Sequence, residues 1–162
     1  MDIITIFNLI RDIPYKIPLS LDDKAIDCDQ KHKELFDLLT KHGLKVRFRI
    51  CVFLWNDLNI PAKILKIFHT NKCEHLYLEV LIENQWIVLD ATWDIGLKNI
   101  LKINKWDGKS NTDLAVKPLK IYSPKEKRNL LHNETKESFL KDIETSGAFY
   151  RAFNEWLEKN RI

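Results

Sequence analysis

His75-Leu76-Tyr77-Leu78-Glu79-Val80-Leu81-Ile82-Glu83-Asn84-Gln85-Trp86-Ile87-Val88-Leu89-Asp90-Ala91-Thr92 reads as a β-hairpin, and this reading organises the rest of the chain. Two runs rich in β-branched, aromatic and leucine residues, 75–82 and 86–92, are split by Glu83, Asn84 and Gln85. A two-residue turn at Glu83-Asn84 would place Ile82 opposite Gln85, and Asn84 tolerates the left-handed backbone such a turn requires. Tyr77 then faces Asp90 and His75 faces Thr92. Diagonal neighbours on one face of an antiparallel pair lie ~7–8 Å apart at Cα, within reach of an imidazole and a carboxylate. The predicted register therefore puts His75 beside Asp90, and a slip of one residue would put them on opposite faces.

Upstream, a helical pattern runs from residue 28 to about 42, with Cys28, His32, Leu35 and Leu39 on one face. Asp27 suits the N-cap and Gly43 the C′ position. Residues 45–55 alternate strictly, with Val46, Phe48, Ile50, Val52 and Leu54 on one face and Arg47, Arg49, Cys51, Phe53 and Trp55 on the other, which predicts a strand. A short strand is expected over 62–68, after Pro61. The first 14 residues predict a short amphipathic helix with Ile3, Ile6, Phe7 and Ile10 on one side; a loop with Pro14 and Pro18 follows. After a mixed segment to Tyr122, Ser123-Pro124-Lys125-Glu126 has the spacing of a capping box, with Pro at the first helical position. Residues 136–159 carry Phe139, Ile143, Phe149, Phe153, Trp156 and Leu157 at helical spacing as a core stripe, with Gly147 as a possible break. Helices, then strands, then helices predict an α+β domain spanning 1–162, with a helical extension over about 123–160.

Composition narrows the class. The 162 residues are 45% hydrophobic and 30% charged, with only 4 Gly and 5 Pro, which argues for a packed core and against low complexity. The net charge of +3 is mild. Residues 98–128 hold nine Lys/Arg against three Asp/Glu, but without a binding motif they read as a solvated surface rather than a nucleic-acid face. No apolar run reaches the ~18 residues of a membrane span, and the N-terminus lacks the features of a signal peptide. Three cysteines without a framework spacing predict reduced thiols and a cytoplasmic setting.

Three residues then carry the chemistry. Cys28 opens a helix, His75 opens a strand and Asp90 closes the next one. A thiol, an imidazole and a carboxylate form the set used in covalent acyl transfer: Cys28 as nucleophile, His75 as general base and acid, Asp90 to orient the imidazole. The Cys28 amide suits an oxyanion donor, with Tyr15 or Gln30 as a second. Helix-start amides favour the thiolate, whereas Asp27 and Asp29 on either side oppose it. Those acidic flanks motivate an alternative, a non-catalytic binding module. A second alternative is a zinc site from Cys28, His32, Cys73 and His75 with His69 nearby, although a Cys-x-His spacing is tighter than common zinc ligand gaps. Cys51 reads as packed and inert, Cys73 as an oxidation-prone loop residue, and Arg47 and Arg49 as partners for acids. Trp55, Trp93 and the segment 95–120 are expected to line the pocket.

The same residues resemble the transglutaminase-like superfamily, part of the wider papain-like group. That family shows a Cys at a helix start and a Gly-Ile-Pro-Ala-Arg-like segment fifteen residues on; Gly43-Leu44-Lys45-Val46-Arg47 stands at that distance from Cys28. It then shows a His opening a strand, a Glu-Val pair, a Trp and an Asp-x-Thr, which correspond here to His75, Glu79-Val80, Trp86 and Asp90-Ala91-Thr92. The resemblance covers about residues 26–94. It implies a cysteine-protease-like α+β fold, with a central helix carrying Cys28 packed on an antiparallel sheet carrying His75 and Asp90. It also implies a hydrolase or acyltransferase acting on a peptide, protein or small amide, without a cofactor or metal.

Overall fold

A computed structural model describes residues 1–126 and 135–162. It is an α+β structure. Its centre is a four-stranded antiparallel sheet in the order β3-β2-β1-β4, built from β1 (Val46–Leu54), β2 (Lys72–Ile82), β3 (Gln85–Leu89) and β4 (Lys120–Ile121). The hairpin has the register read from the sequence: Ile82 pairs with Gln85, and the ladder runs back to Leu78 opposite Leu89. Glu83 and Asn84 take φ of 47° and 65°. Two successive positive φ angles make the mirror-image turn whose twist matches the strands it joins.

Helix α1 (Ile3–Arg11) starts at Asp2, whose carboxylate accepts from the Thr5 amide at 2.9 Å. Helix α2 (Cys28–Lys41) starts at Asp27, which accepts from the amides of Asp29 and Gln30. It ends in a Schellman motif around Gly43 at φ +91°, with Leu44 N–H donating to Leu39 O and Gly43 N–H to Thr40 O. Ile6, Phe7 and Ile10 of α1 and Leu35 and Leu39 of α2 pack with Leu78, Val80 and Leu89 of the sheet. Each such buried side chain contributes roughly 1.5–3 kcal/mol. The second cluster joins Cys51, Phe53 and Tyr77 to Trp55, Trp93 and the stripe Phe149, Phe153 and Leu157 of the long helix α4 (Lys136–Asn160).

Five expectations need correction. Residues 62–68 are not a strand: Ala62–Leu65 form a single helical turn, α3, whose Ile64 and Leu65 amides bond to Pro61 O. An apolar run this short does not separate the two periods, and Pro61 just ahead of it favours a helix start. β2 begins at Lys72, so His75 lies inside the strand opposite Cys51, and Cys73 is a strand residue rather than a loop residue. β3 stops at Leu89, leaving Asp90 just beyond its end. Gly147 does not interrupt α4, which runs unbroken for 25 residues. At Ser123, the capping box is formed by Ser123 N–H to Glu126 and Glu126 N–H to Ser123 Oγ; its continuation over 127–134 lies outside the described residues. Among the described residues, no helix is long and apolar enough to cross a membrane.

Candidate active site

The hairpin delivers His75 and Asp90 to one face of the sheet. His75 Nε2 lies 2.7 Å from Asp90 Oδ2, with 2% of His75 and none of Asp90 exposed. Asp90 is saturated with donors. Its Oδ1 accepts from Thr92 N–H and Thr92 O–H, and its Oδ2 also accepts from the Ala115 amide at 2.8 Å. Its backbone amide donates to Thr112 Oγ1, and its carbonyl accepts from Asn104. Burial alone would raise the Asp90 pKa, but the His75 charge and hydrogen bond, His32 and the Thr92 hydroxyl hold it well below the usual carboxylate range. An ionised carboxylate only accepts, so His75 Nε2 carries a proton and donates it to Asp90 Oδ2. His75 Nδ1 has no hydrogen-bond partner among the described residues, and His75 lines the same cavity as Cys28.

That cavity, about 170 Å³, opens between the start of α2, the strand ends and α4. Tyr15, Trp55 and Trp93 form aromatic walls, and Cys28, His75 and Thr92 the chemical floor. Of the segment 95–120, Val116 reaches it, whereas α4, read from sequence only as core, supplies Phe139, Asp142, Ile143 and Tyr150. Tyr15 lines the cavity; Gln30 is exposed and is not part of its wall.

Cys28 is only partly buried as a residue, but its thiol pKa is pushed well above the ordinary value. Burial is the main cause, followed by the charges of Asp27 and Asp29, while the Leu76 amide opposes the shift. The thiol reaches Asp29 Oδ1 at 3.9 Å. Burial and the acidic charges both favour the thiol, against the helix start, which favours the thiolate.

Two residues that lock Cys28 to Asp90 stand next to each other on α2, and neither side chain is exposed. His32 Nδ1–H donates to Cys28 O at 2.7 Å, and its Nε2 accepts from the Ala91 amide at 3.0 Å. This pair of bonds fixes the neutral tautomer, and burial lowers the His32 pKa to about 4. Lys31 Nζ donates to Arg11 O at 2.7 Å and to Thr92 O at 2.8 Å, and burial lowers its pKa to about 7. Both residues therefore bond helix α2 to the loop that follows Asp90. The sequence marked His32 as lying on the face of Cys28, but nothing in it distinguished Lys31 from a solvated helix lysine.

The remaining candidates have structural partners. Arg47 and Arg49 both bind Glu79, with Arg47 Nε–H to Oε2 and Arg49 Nη1–H to Oε1 at 2.6 Å each, and the Arg47 guanidinium lies 4.0 Å from the Trp86 ring. Cys51 is buried opposite His75, and burial pushes its pKa up to about 12. Cys73 lines the cavity, and burial with the nearby Asp142 charge also raises it to about 12, which opposes the reactivity expected of it. Asp94, beside Trp93, accepts from the Tyr15 and Gly96 amides and pairs with Arg161. The zinc set does not assemble: both His32 nitrogens and His75 Nε2 are engaged, and His69 stacks on Phe149 at 3.9 Å. Among the described residues, only Asp27, Cys28 and Asp29 bring three possible ligand atoms together.

No protein-family model, curated protein or solved structure matches this chain.

Proposed function

We propose that this chain is a cysteine-dependent acyl-transfer enzyme of transglutaminase-like type, with a cysteine-protease-like arrangement of helix and sheet. The observation that carries the reading is the 2.7 Å His75–Asp90 contact behind the wall of a cavity that His75 and Cys28 both line. As the Cys28 sulfur attacks an amide or ester carbonyl, His75 Nδ1 takes the thiol proton and Asp90 stabilises the imidazolium that forms. The Cys28 amide, at the positive end of α2, faces the developing oxyanion. His75 returns the proton to the leaving group, and water or an amine resolves the thioester. Because burial, with the acidic flanks, favours the protonated thiol, His75 acts here as a general base during attack rather than as half of a resting ion pair. The same flanks favour a second reading, a non-catalytic binding module on this fold.

Alkylation by iodoacetamide across pH, with the modified cysteine mapped by mass spectrometry, separates the two. Acyl transfer predicts that Cys28 labels faster in the folded chain than in the denatured one, and that His75→Ala removes the advantage. Labelling of Cys28 no faster than in denatured protein, and indifferent to His75→Ala, would falsify the enzyme reading and leave the binding module.

A further inference from the structure

The chain carries a net charge of +3, yet no Lys or Arg lines the Cys28 cavity among the described residues. Four carboxylates do: Asp27, Asp29, Glu74 and Asp142. They come from two separate elements of the site wall besides the start of α2, with Glu74 on β2 and Asp142 on α4, so tertiary structure gathers them. Asp27 and Asp29 each bring an oxygen within 4.8 Å of the thiol and of each other. Glu74 and Asp142 are exposed as residues; partial desolvation raises both above their ordinary values, Asp29 adds to the shift at Glu74, and Asp142 accepts from the Tyr150 hydroxyl. The cations at the rim are exposed and weakly placed: Lys33 is 3.6 Å from Asp29, and Lys72 acts on Glu74.

The walls indicate which kind of cation fits. A hard metal ion takes six or more oxygen ligands, whereas the aromatic side chains of Tyr15, Trp55 and Trp93 line much of this cavity. Trp55, only 4% exposed, lines the cavity with its Nε1–H unpartnered among the described residues. Aromatic faces combined with carboxylates suit an organic cation with an apolar stem, and an unpartnered indole N–H suits a polar acceptor near that stem.

We propose that this cavity binds a substrate bearing an organic cation of the lysine or arginine type beside the carbonyl that Cys28 attacks. The carbonyl half of the proposal rests on the acyl-transfer reading; the cation half does not. The arrangement also links recognition to reactivity. An ammonium or guanidinium entering the acidic mouth offsets the charges of Asp27 and Asp29 that oppose ionisation of Cys28, so a cationic substrate eases deprotonation of the thiol that attacks it.

The test uses the full chain carrying Cys28→Ala, titrated with Nα-acetyl-lysine N-methylamide and its neutral isostere Nα-acetyl-norleucine N-methylamide under NMR observation. The lysine derivative is expected to bind about tenfold more tightly, the order that two or more partly screened carboxylates supply. Its binding should shift the Trp55 and Trp93 indole signals, and Glu74→Gln with Asp142→Asn should shrink the gap. Equal affinity for the norleucine derivative, or binding of neither, overturns the proposal. In the chain with Cys28 intact, 2-bromoethylammonium, iodoacetamide and iodoacetate are then compared, each rate taken relative to denatured protein. The expected order is cation, neutral, anion, and a flat order overturns the proposal. If the cation preference holds while alkylation ignores His75→Ala, the acyl-transfer reading falls and the cation site stands. If alkylation depends on His75 and the charge order is flat, the cation site falls and the acyl-transfer reading stands.

Discussion

The two halves of the site are built differently. At the base, His75 and Asp90 are almost wholly buried, and both carboxylate oxygens accept from several donors. At the mouth, Cys28 is partly exposed, meets Asp29 only at 3.9 Å, and sits among carboxylates that resist its ionisation. In the low-dielectric base, every charge has a partner because an unpaired one would be costly. At the mouth, unbalanced charge is tolerated because solvent screens it. The difference teaches that the base is organised in advance and the mouth is left to be completed by what enters. His32 and Lys31 join the two, since each bonds α2 to the loop after Asp90.

Breaking the base should have the largest effect. Asp90→Ala strands the buried His75, Thr92 and Ala115 donors at once. Chemical denaturation should show a loss of about 3–5 kcal/mol, the range for removing one partner of a buried, hydrogen-bonded charge. A loss under about 1 kcal/mol would show that water replaces the carboxylate and that the base is not organised as described.

The link between the halves is expected to come next, and it is visible in acid. The folded-state pKa of His32 is lowered from 6.5 to about 4. Its contribution to stability is therefore complete above pH 6.5 and disappears as the pH falls toward 4, because the unfolded chain takes up the proton first. Over that window the loss should be on the order of 3 kcal/mol. His32→Gln keeps a donor and an acceptor but does not titrate there, so it should flatten the acid limb while preserving most of the stability at pH 7. An unchanged acid limb in the variant would contradict the buried, neutral assignment.

The mouth should respond least in stability and most in reactivity. Asp29→Asn removes a half-exposed charge and should change stability by less than about 0.5 kcal/mol. It should also lower the pH at which Cys28 alkylates, because one of the charges raising its pKa is gone. An unmoved alkylation profile would show that burial and Asp27, not Asp29, set the Cys28 titration.

Local rules made much of this legible. Asp27 and Gly43 bracket α2 as expected, because capping is decided within a few residues. The two-residue turn read at Glu83-Asn84 sets the register that places His75 beside Asp90. Other parts carried no local signal. β4 is two exposed residues, Lys120 and Ile121, held through backbone bonds flanking it, Leu119 N–H to Val52 O and Tyr122 N–H to Ile50 O. Its pairing depends on the free edge of β1, not on its own pattern. Thr112 and Ala115, which complete the shell of Asp90, lie in a stretch whose composition suggested only a solvated surface.

By itself, then, the sequence determined the caps of α2, the strand character of 46–54 and the hairpin register that pairs His75 with Asp90, because each follows from period, capping or turn chemistry over short separations. Only the tertiary structure decided the environment of those residues. It buried Lys31 between α1 and the loop after Asp90, brought α4 into the cavity wall with Asp142, and set Glu74 beside the acidic start of α2. Burial and field depend on which distant segments fold over a group, and that long-range information is not written in the spacing of any one stretch.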